Sequence, residues 1–210
     1  MASGTCATPG EVAGMTTTIA DIHAYWFGEL DERGLAAPQR HALWFKASAQ
    51  TDRDCRERFG KLVAAAVAGD LQDWEQADDG LVALILLLDQ FTRNIHRGTA
   101  RAFAGDARAL SLAREAVTSG RYRRLPAIHQ AFLYMPLEHC EDLATQHECV
   151  ALFEALAAVT GDELIANFTR YAVAHRDIIA TFGRFPHRNA ILGRTSSAAE
   201  LAHLQQHGGF

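Results

Sequence analysis

The segment LVALILLLDQFTRNIHRG, which begins at Leu81, most constrains how this chain can fold. Its first eight residues are apolar or small, and they run directly into charged and polar ones. The apolar run is too short to cross a bilayer, which takes about 20 residues, and a helix that is apolar on every side is normally buried within protein. On that helix Asp89, Arg93 and His96 share one face. The segment therefore predicts charged groups at or near the core.

Buried charge is costly unless it is paired, and this leaves two interpretations of the charged end of the segment. In the first, Asp89 and Arg93 form an ion pair at a spacing of four residues, while Arg93 and Arg97 complement the helix dipole. In the second, the same side chains line a pocket. The uninterrupted apolar run before them favours the pocket, and both interpretations stay open.

Composition limits the classes of protein that this chain can represent. Its 210 residues are 49% hydrophobic, which suits one globular domain with a sizeable core, predicted over residues 17–210. A net charge of −5 argues against broad nucleic-acid binding, and no segment predicts a membrane span. Residues 1–16 are small, polar and glycine-rich, and we predict a disordered tail there.

Cysteine usage and the N-terminal sequence together predict a cytoplasmic protein. The four cysteines, Cys6, Cys55, Cys140 and Cys149, lack the spacing of a zinc site or of a disulfide framework. The first 15 residues carry no basic region followed by a long apolar one, so no secretory signal is predicted. The chain has no glycine-rich phosphate loop, no G-x-S-x-G elbow and no H-E-x-x-H motif, and we predict no cofactor and no metal.

Apolar residues recur at helical spacing over most of the chain, and strand alternation is nearly absent. This predicts an all-α fold of about eight helices, whose short connections favour antiparallel helical hairpins. A proline is expected to kink or break one helix at Pro136. Helix ends are predicted from capping residues: Thr18 with Asp21, Ser48 to Gly69, Asp78 or Asp79 to Gly98, Asp106 to Gly120, Thr145 with Glu148, Asp162 to Gly183, and Ser197 with Glu200.

Two further clusters carry polar side chains beside apolar runs. In the first, Glu138 is followed by Glu141 and Asp142, which could supply a general base or metal oxygens, or could form an ordinary solvated helix end. In the second, His175 lies on an otherwise apolar helix face, where a satisfied core histidine is the plainer interpretation. The stiff turn around Pro186 then carries side chains suited to carboxylate or phosphate, although helix-end contacts would also explain them: Arg184, His187, Arg188 and Asn189.

These motifs together resemble a bacterial family catalogued as domain of unknown function 924, over roughly residues 16–204. The resemblance implies a TPR-like all-α fold, and the family has no assigned activity. The motifs are YWFG at 25–28, WF at 44–45, RERFG at 56–60, LLDQF at 87–91, RNI at 93–95, RGT at 97–99, FLYMPL at 132–137, FGRFPHRN at 182–189 and LGR at 192–194.

Three positions depart from the family pattern. Thr92 stands where the family usually has proline, His96 where it usually has phenylalanine, and Cys140 where serine is common. A missing proline relaxes the buried helix, and His96 adds a titratable group near Arg93. Both departures favour a specialised pocket in this chain.

Our leading hypothesis is an internal polar pocket that binds a small anionic metabolite and uses acid–base chemistry without a cofactor. Histidine suits that chemistry because its pKa lies near neutrality. The acid–base candidates are Asp89, Glu138, His175 and His187. The ligand-binding candidates are Arg93, His96, Arg97, Arg184, Arg188 and Asn189.

Two alternatives stay open. The helical hairpins could present a groove to a peptide or partner protein, and the polar motifs would then be structural brackets. A metal-dependent enzyme is the other alternative, and it would draw its ligands from Glu138, Glu141, Asp142, His147 or His175. The sequence specifies neither the reaction nor the oligomeric state.

Overall fold

A computed structural model describes residues 17–46 and 48–209, and over these ranges the chain forms nine helices and no β-strand. The predicted tail, residues 1–16, lies outside the described residues. The all-α prediction is confirmed. The helices are α1 (Ile19–Trp26), α2 (His41–Phe45), α3 (Ala49–Ala68), α4 (78–95), α5 (Asp106–Thr118), α6 (Ala127–Glu138), α7 (Leu143–Thr160), α8 (Glu163–Phe182) and α9 (Ala198–His207).

Several helix ends follow from local capping chemistry, as the sequence predicts. Thr18 and Ser197 each open a helix with a capping box, and α8 runs from an Asp162 cap to Gly183 in the left-handed conformation. Two predicted starts are wrong. Asp142 caps α7, accepting from the Thr145 amide at 2.8 Å, so Thr145 lies inside the first turn. Ala77 precedes α4, and neither Asp78 nor Asp79 caps it.

Helix α4 changes its winding in the middle. Asp78–Ile85 is α-helical, Leu86–Phe91 is π-helical, and Thr92–Ile95 returns to α before the helix ends at His96. The wider turn frees backbone carbonyls, and side chains bind them. The Thr92 hydroxyl donates to Leu88 O at 2.7 Å, and Arg93 Nη1 donates to Asp89 O at 2.5 Å. Thr92 therefore helps to hold the π segment. Single π-helical turns of this kind are often found at functional sites.

Helix α6 continues through Pro136, so the chain does not break there, and the alternative of a kink stays a prediction. The helix ends two residues later, at Glu138. Gln146 of α7 occupies the carbonyls that the end exposes, because its Nε2 donates to Glu138 O at 2.6 Å and to Cys140 O at 2.7 Å. A proline costs a helix one internal hydrogen bond, and this position close to the C-terminus keeps the disturbance local.

Sequence neighbours α5 with α6, α6 with α7, and α7 with α8 pack against one another. The last two connections are short, with four residues between α6 and α7 and two between α7 and α8, so each of these two pairs turns back as a hairpin. Helices α6 and α8 also contact each other. Because the chain reverses direction once before α7 and once after it, α6 and α8 run parallel. Buried apolar side chains from α1 to α8 form one continuous core. Among the described helices, none combines the length and apolarity that crossing a membrane requires.

Candidate functional site

A cavity of about 400 Å³ lies where α2, α4, α6, α8 and the turn after α8 meet, and we call it the central cavity. The three charged segments that the sequence singled out converge on it. Its polar lining comprises Lys46, Gln90, Arg93, Asn94, Arg97, Glu138, His139, His175, His187 and Arg188. Its aromatic lining comprises Trp26, Trp44, Phe45, Phe103, Phe132, Phe168 and Tyr171. Phe45 is 40% exposed, so it lies at the edge of this lining.

Asp89 lies behind this lining, fully buried in the π segment of α4. Its Oδ1 lies 2.7 Å from His139 Nδ1 and 3.1 Å from Arg93 Nη1, and its Oδ2 accepts from Gln90 at 2.6 Å. Burial raises the pKa of Asp89, but Arg93, His139 and these hydrogen bonds outweigh burial and hold the pKa below its usual value. An ionised carboxylate only accepts, so neutral His139 must carry its proton on Nδ1. The other ring nitrogen, Nε2, is then a base.

Glu138 is the buried acid of the site. It is 3% exposed, its Oε1 lies 3.2 Å from His175 Nδ1, and its Oε2 has no hydrogen-bond partner among the described residues. Burial, with a contribution from the charge of Asp89, raises the pKa of Glu138 to about 8. At neutral pH this carboxyl group is therefore mostly protonated and can donate a proton.

His175 is held in one tautomer by its own helix. Its Nδ1 lies 2.9 Å from Tyr171 O, which only accepts, so this nitrogen carries the proton. Burial, together with His139 and Arg188, lowers the pKa of His175 to about 3. The neutral His175 therefore cannot take the Glu138 proton at Nδ1, and its contact with Glu138 Oε1 positions that carboxyl group.

Two of the cavity arginines are already bound to carboxylates. Arg93 forms a bidentate pair with Asp106 at 2.9 and 3.0 Å, in addition to its contact with Asp89. Arg97 binds Asp52 of α3 through two hydrogen bonds of 2.7 and 2.8 Å. Both guanidinium groups are therefore fixed, and their charge is largely compensated.

The positive charge of Arg188 is compensated far less than the charges of Arg93 and Arg97. Its side chain is 8% exposed and lies 3.8 Å from Asp106, beyond hydrogen-bond distance, and its Nε has no partner among the described residues. The guanidinium carbon lies 4.9 Å from the Phe103 ring centre and 4.5 Å from that of Phe185. Burial and nearby Arg93 lower the pKa of Arg188 to about 10, so it remains a cation at neutral pH. Beside it, burial and Arg188 lower the pKa of His187 to about 4.

Three predicted ligand-binding residues lie elsewhere. Arg184 pairs with Glu200 of α9 and donates to Thr195 O, because it faces the C-terminal helix. Asn189 is buried and donates to Ser196 at 3.0 Å. His96 closes the end of α4, outside the central cavity, and does not supply the titratable group expected beside Arg93. These side chains brace the C-terminal segment or end a helix.

Most of the metal-ligand set proposed from sequence is also engaged elsewhere. Glu141 accepts from Arg194 and from the Phe185 amide, Asp142 caps α7, and His147 is exposed. Glu138 and His175 remain, and His139 joins them. One ligand atom from each of these three residues lies within 4.8 Å of the others, which is a spacing that could hold a metal ion.

His139 and Asp106 are the site residues that sequence reasoning missed. His139 follows Glu138 directly, and adjacent residues within a helix point apart. The helix ends at Glu138, however, and the last turn brings both side chains to the cavity. Asp106 was predicted only as a helix start. A buried Arg93 demands acidic partners, but that demand does not indicate which carboxylate supplies them.

The fold and site define an all-α protein with a buried cluster of ionisable residues on an internal cavity. The chain belongs to a family described as bacterial protein of unknown function (DUF924), whose model matches residues 22–208. It is similar to a solved structure of a protein of unknown function from Agrobacterium tumefaciens. That protein is 34% identical, with a TM-score of 0.75 over 90% of this chain and 97% of that one. No curated protein matches the chain.

Proposed function

We propose that the protein binds a small anionic metabolite in the central cavity and acts on it by proton transfer between its own side chains. The observation that carries this proposal is Arg188, a buried cation without a hydrogen-bonded carboxylate. A buried charge that lacks a partner is costly, and a bound anion would relieve that cost. Arginine also matches a planar anion with paired hydrogen bonds.

The acid–base chemistry falls to two residues at the same end of the cavity, and two more residues position them. Glu138, protonated at neutral pH, is the proton donor, and His139 Nε2 is the base. Asp89 orients His139 from behind, so it is a positioning residue and not the direct acid–base group expected from sequence. His175 fixes Glu138 through the 3.2 Å contact. This assignment needs no cofactor. The three cysteines that the structure describes form no disulfide, which supports the cytoplasmic location predicted from the sequence.

Thermal-shift measurements with acetate, inorganic phosphate and larger carboxylates test the binding step. An anion present at about 100 times its dissociation constant should stabilise the fold by about 2.7 kcal/mol. Arg188→Gln should abolish this effect. Arg170→Gln is a matched control, because Arg170 is 60% exposed on α8 and pairs with Glu163 away from the cavity. If no anion stabilises the wild type and a partner protein binds instead, the interaction-module hypothesis replaces ours.

A separate assay tests the reaction. The wild type is incubated with a bacterial small-molecule extract, and mass spectrometry follows the anions that disappear. Glu138→Gln should leave those anions intact because Gln cannot transfer a proton, while Arg170→Gln should behave as wild type. Equal depletion by wild type and Glu138→Gln would contradict the acid–base assignment.

A metal-dependent enzyme is the second candidate, and the cluster of Glu138, His139 and His175 favours it. The bond from His139 Nδ1 to Asp89 has the form of a carboxylate that orients a metal-bound histidine. The nearby positive charges of Arg93 and Arg188 oppose a dication. Titration with Co²⁺ separates the two candidates: visible absorption bands that appear with wild type and vanish with His139→Gln would favour a metal enzyme.

A further inference from the structure

The central cavity has two unlike ends, and the parallel course of α6 and α8 creates them. Phe132 and Phe168 lie together, with ring centres 5.8 Å apart. Six and seven residues further along, Glu138 and His175 meet at 3.2 Å. With a helical rise of about 1.5 Å per residue, the aromatic and ionisable levels are about 9–11 Å apart. Both helices therefore carry aromatic rings at one level and ionisable groups at the other.

Helix α2 completes the aromatic end. The Trp44 ring lies 5.0 Å from Phe132, and Phe45 lies 5.3 Å from Phe168. Phe45 also stacks on Tyr171, with their planes 6° apart. These two outer rings are 40% and 43% exposed, so they present apolar surface at the mouth of the cavity. A ring-bearing ligand would cover that surface in the offset or edge-to-face geometry that aromatic groups prefer.

The three arginines and three aspartates at the ionisable end balance in charge, and Arg188 is the arginine that lacks a hydrogen-bonded carboxylate among the described residues. Asp89 and Asp106 compensate Arg93, and Asp52 compensates Arg97. Arg188 remains, and contacts with the rings of Phe103 and Phe185 hold its guanidinium in place. A guanidinium binds a planar carboxylate through two parallel hydrogen bonds, and its single positive charge would leave one charge of a dianionic phosphate uncompensated. The ordering cost of binding is also small, because the group is already held.

We infer that the ligand of the central cavity is a monocarboxylate joined by a short linker to an aromatic ring, with the carboxylate on Arg188 and the ring between Trp44, Phe45 and Tyr171. This inference rests on the proposed function and adds the class of ligand. A volume of about 400 Å³ accommodates a ligand of this kind. The protonated Glu138 then lies at the carboxylate end, beside the linker.

Ligand-observed NMR titration with three probes tests the inference. 3-Phenylpropionate carries both features, propionate only the charge, and 3-phenylpropanamide only the ring. The dissociation constant of 3-phenylpropionate should be at least tenfold lower than those of the other two probes. Phe45→Ala should raise it at least fivefold and leave that of propionate unchanged. Arg188→Gln should raise it to the value of the amide, with the helical circular dichroism of both variants unchanged.

The outcomes separate the inference from the proposed function. If propionate binds as tightly as 3-phenylpropionate and Arg188→Gln abolishes that binding, the proposed function stands and the ligand class is overturned. If the amide binds as tightly as the acid, the cavity does not select anions and both fail. If no probe binds the wild type, the ligand class is overturned, and the thermal-shift measurements with other anions decide the proposed function.

Discussion

Replacing Asp89 by asparagine gives the sharpest test of how the buried charges are held. The side chain keeps its size but loses its charge and one of its two acceptor oxygens. In the wild type, Oδ1 lies against His139 Nδ1 and Arg93, and Oδ2 accepts from Gln90. An asparagine amide can serve only one of these oxygen positions as an acceptor, and its NH₂ group faces a donor at the other. The variant therefore places two hydrogen-bond donors against each other at a fully buried position.

The size of the effect follows from what the remaining groups can still do. Removing one partner of a buried ion pair costs about 3–5 kcal/mol, mostly because it leaves the other charge uncompensated. Here Arg93 retains its two hydrogen bonds to Asp106, at 2.9 and 3.0 Å. We therefore expect Asp89→Asn to lower the free energy of unfolding by about 3 kcal/mol, the lower end of that range.

Urea unfolding at several pH values measures this difference. The pKa of Asp89 is lowered in the folded state, whereas an unfolded aspartate has a pKa of about 3.9. Its contribution is therefore complete above about pH 5, and it is lost as the pH falls through the folded-state pKa. The gap between wild type and variant should be constant from about pH 6 to 8 and should narrow under acid conditions.

Asp177→Asn is the control for this measurement. The Asp177 side chain is 61% exposed on α8 and pairs with Arg176, so its replacement should change the stability by less than about 1 kcal/mol. A loss below about 1 kcal/mol for Asp89→Asn as well would refute the argument, because Asp89 would then behave as a surface carboxylate.

Three further predictions concern the same site. Glu138→Gln should gain stability over the wild type as the pH rises from about 5 to 8. The reason is that an unfolded glutamate ionises near pH 4.3, while burial raises the pKa of Glu138 in the folded protein to about 8. Parallel thermal melts at several pH values check this, and the same change of melting temperature with pH in both proteins would contradict it. Arg188→Gln should leave thermal stability unchanged or increase it when no ligand is present, since it removes a poorly compensated buried charge; a marked drop in melting temperature would show that Arg188 is structural. Gly105→Ala should destabilise the fold by about 1–3 kcal/mol in urea unfolding, because a Cβ there would collide with the Leu88 carbonyl of the π segment; wild-type stability would indicate that the π segment can shift.

Local chemistry explains which features of the fold could be predicted from sequence. A capping box such as Thr18 with Asp21, or Asp162 ahead of α8 and Gly183 after it, depends on residues three or four positions apart. The same holds for helical periodicity, and for the inference that eight apolar residues before Asp89 place that carboxylate in the core, where it is fully buried. These predictions involve few partners, all close in the chain, so the sequence alone determines them.

The identity of each partner is what only the tertiary structure decided. Asp89 needs donors, but His139 lies fifty positions away and is one of ten histidines in the chain. Asp106 binds Arg93 and lies near Arg188. Arg184 is only three residues from His187, but it binds Glu200 of α9 and does not enter the cavity. The π segment of α4 also depends on a remote residue, because the glycine at position 105 leaves room for the Leu88 carbonyl. The end of α6 after Pro136 is likewise held by packing, because Gln146 of α7 binds the carbonyls that this helix end exposes. Such choices depend on distances between helices that are remote in sequence, and no local pattern encodes those distances.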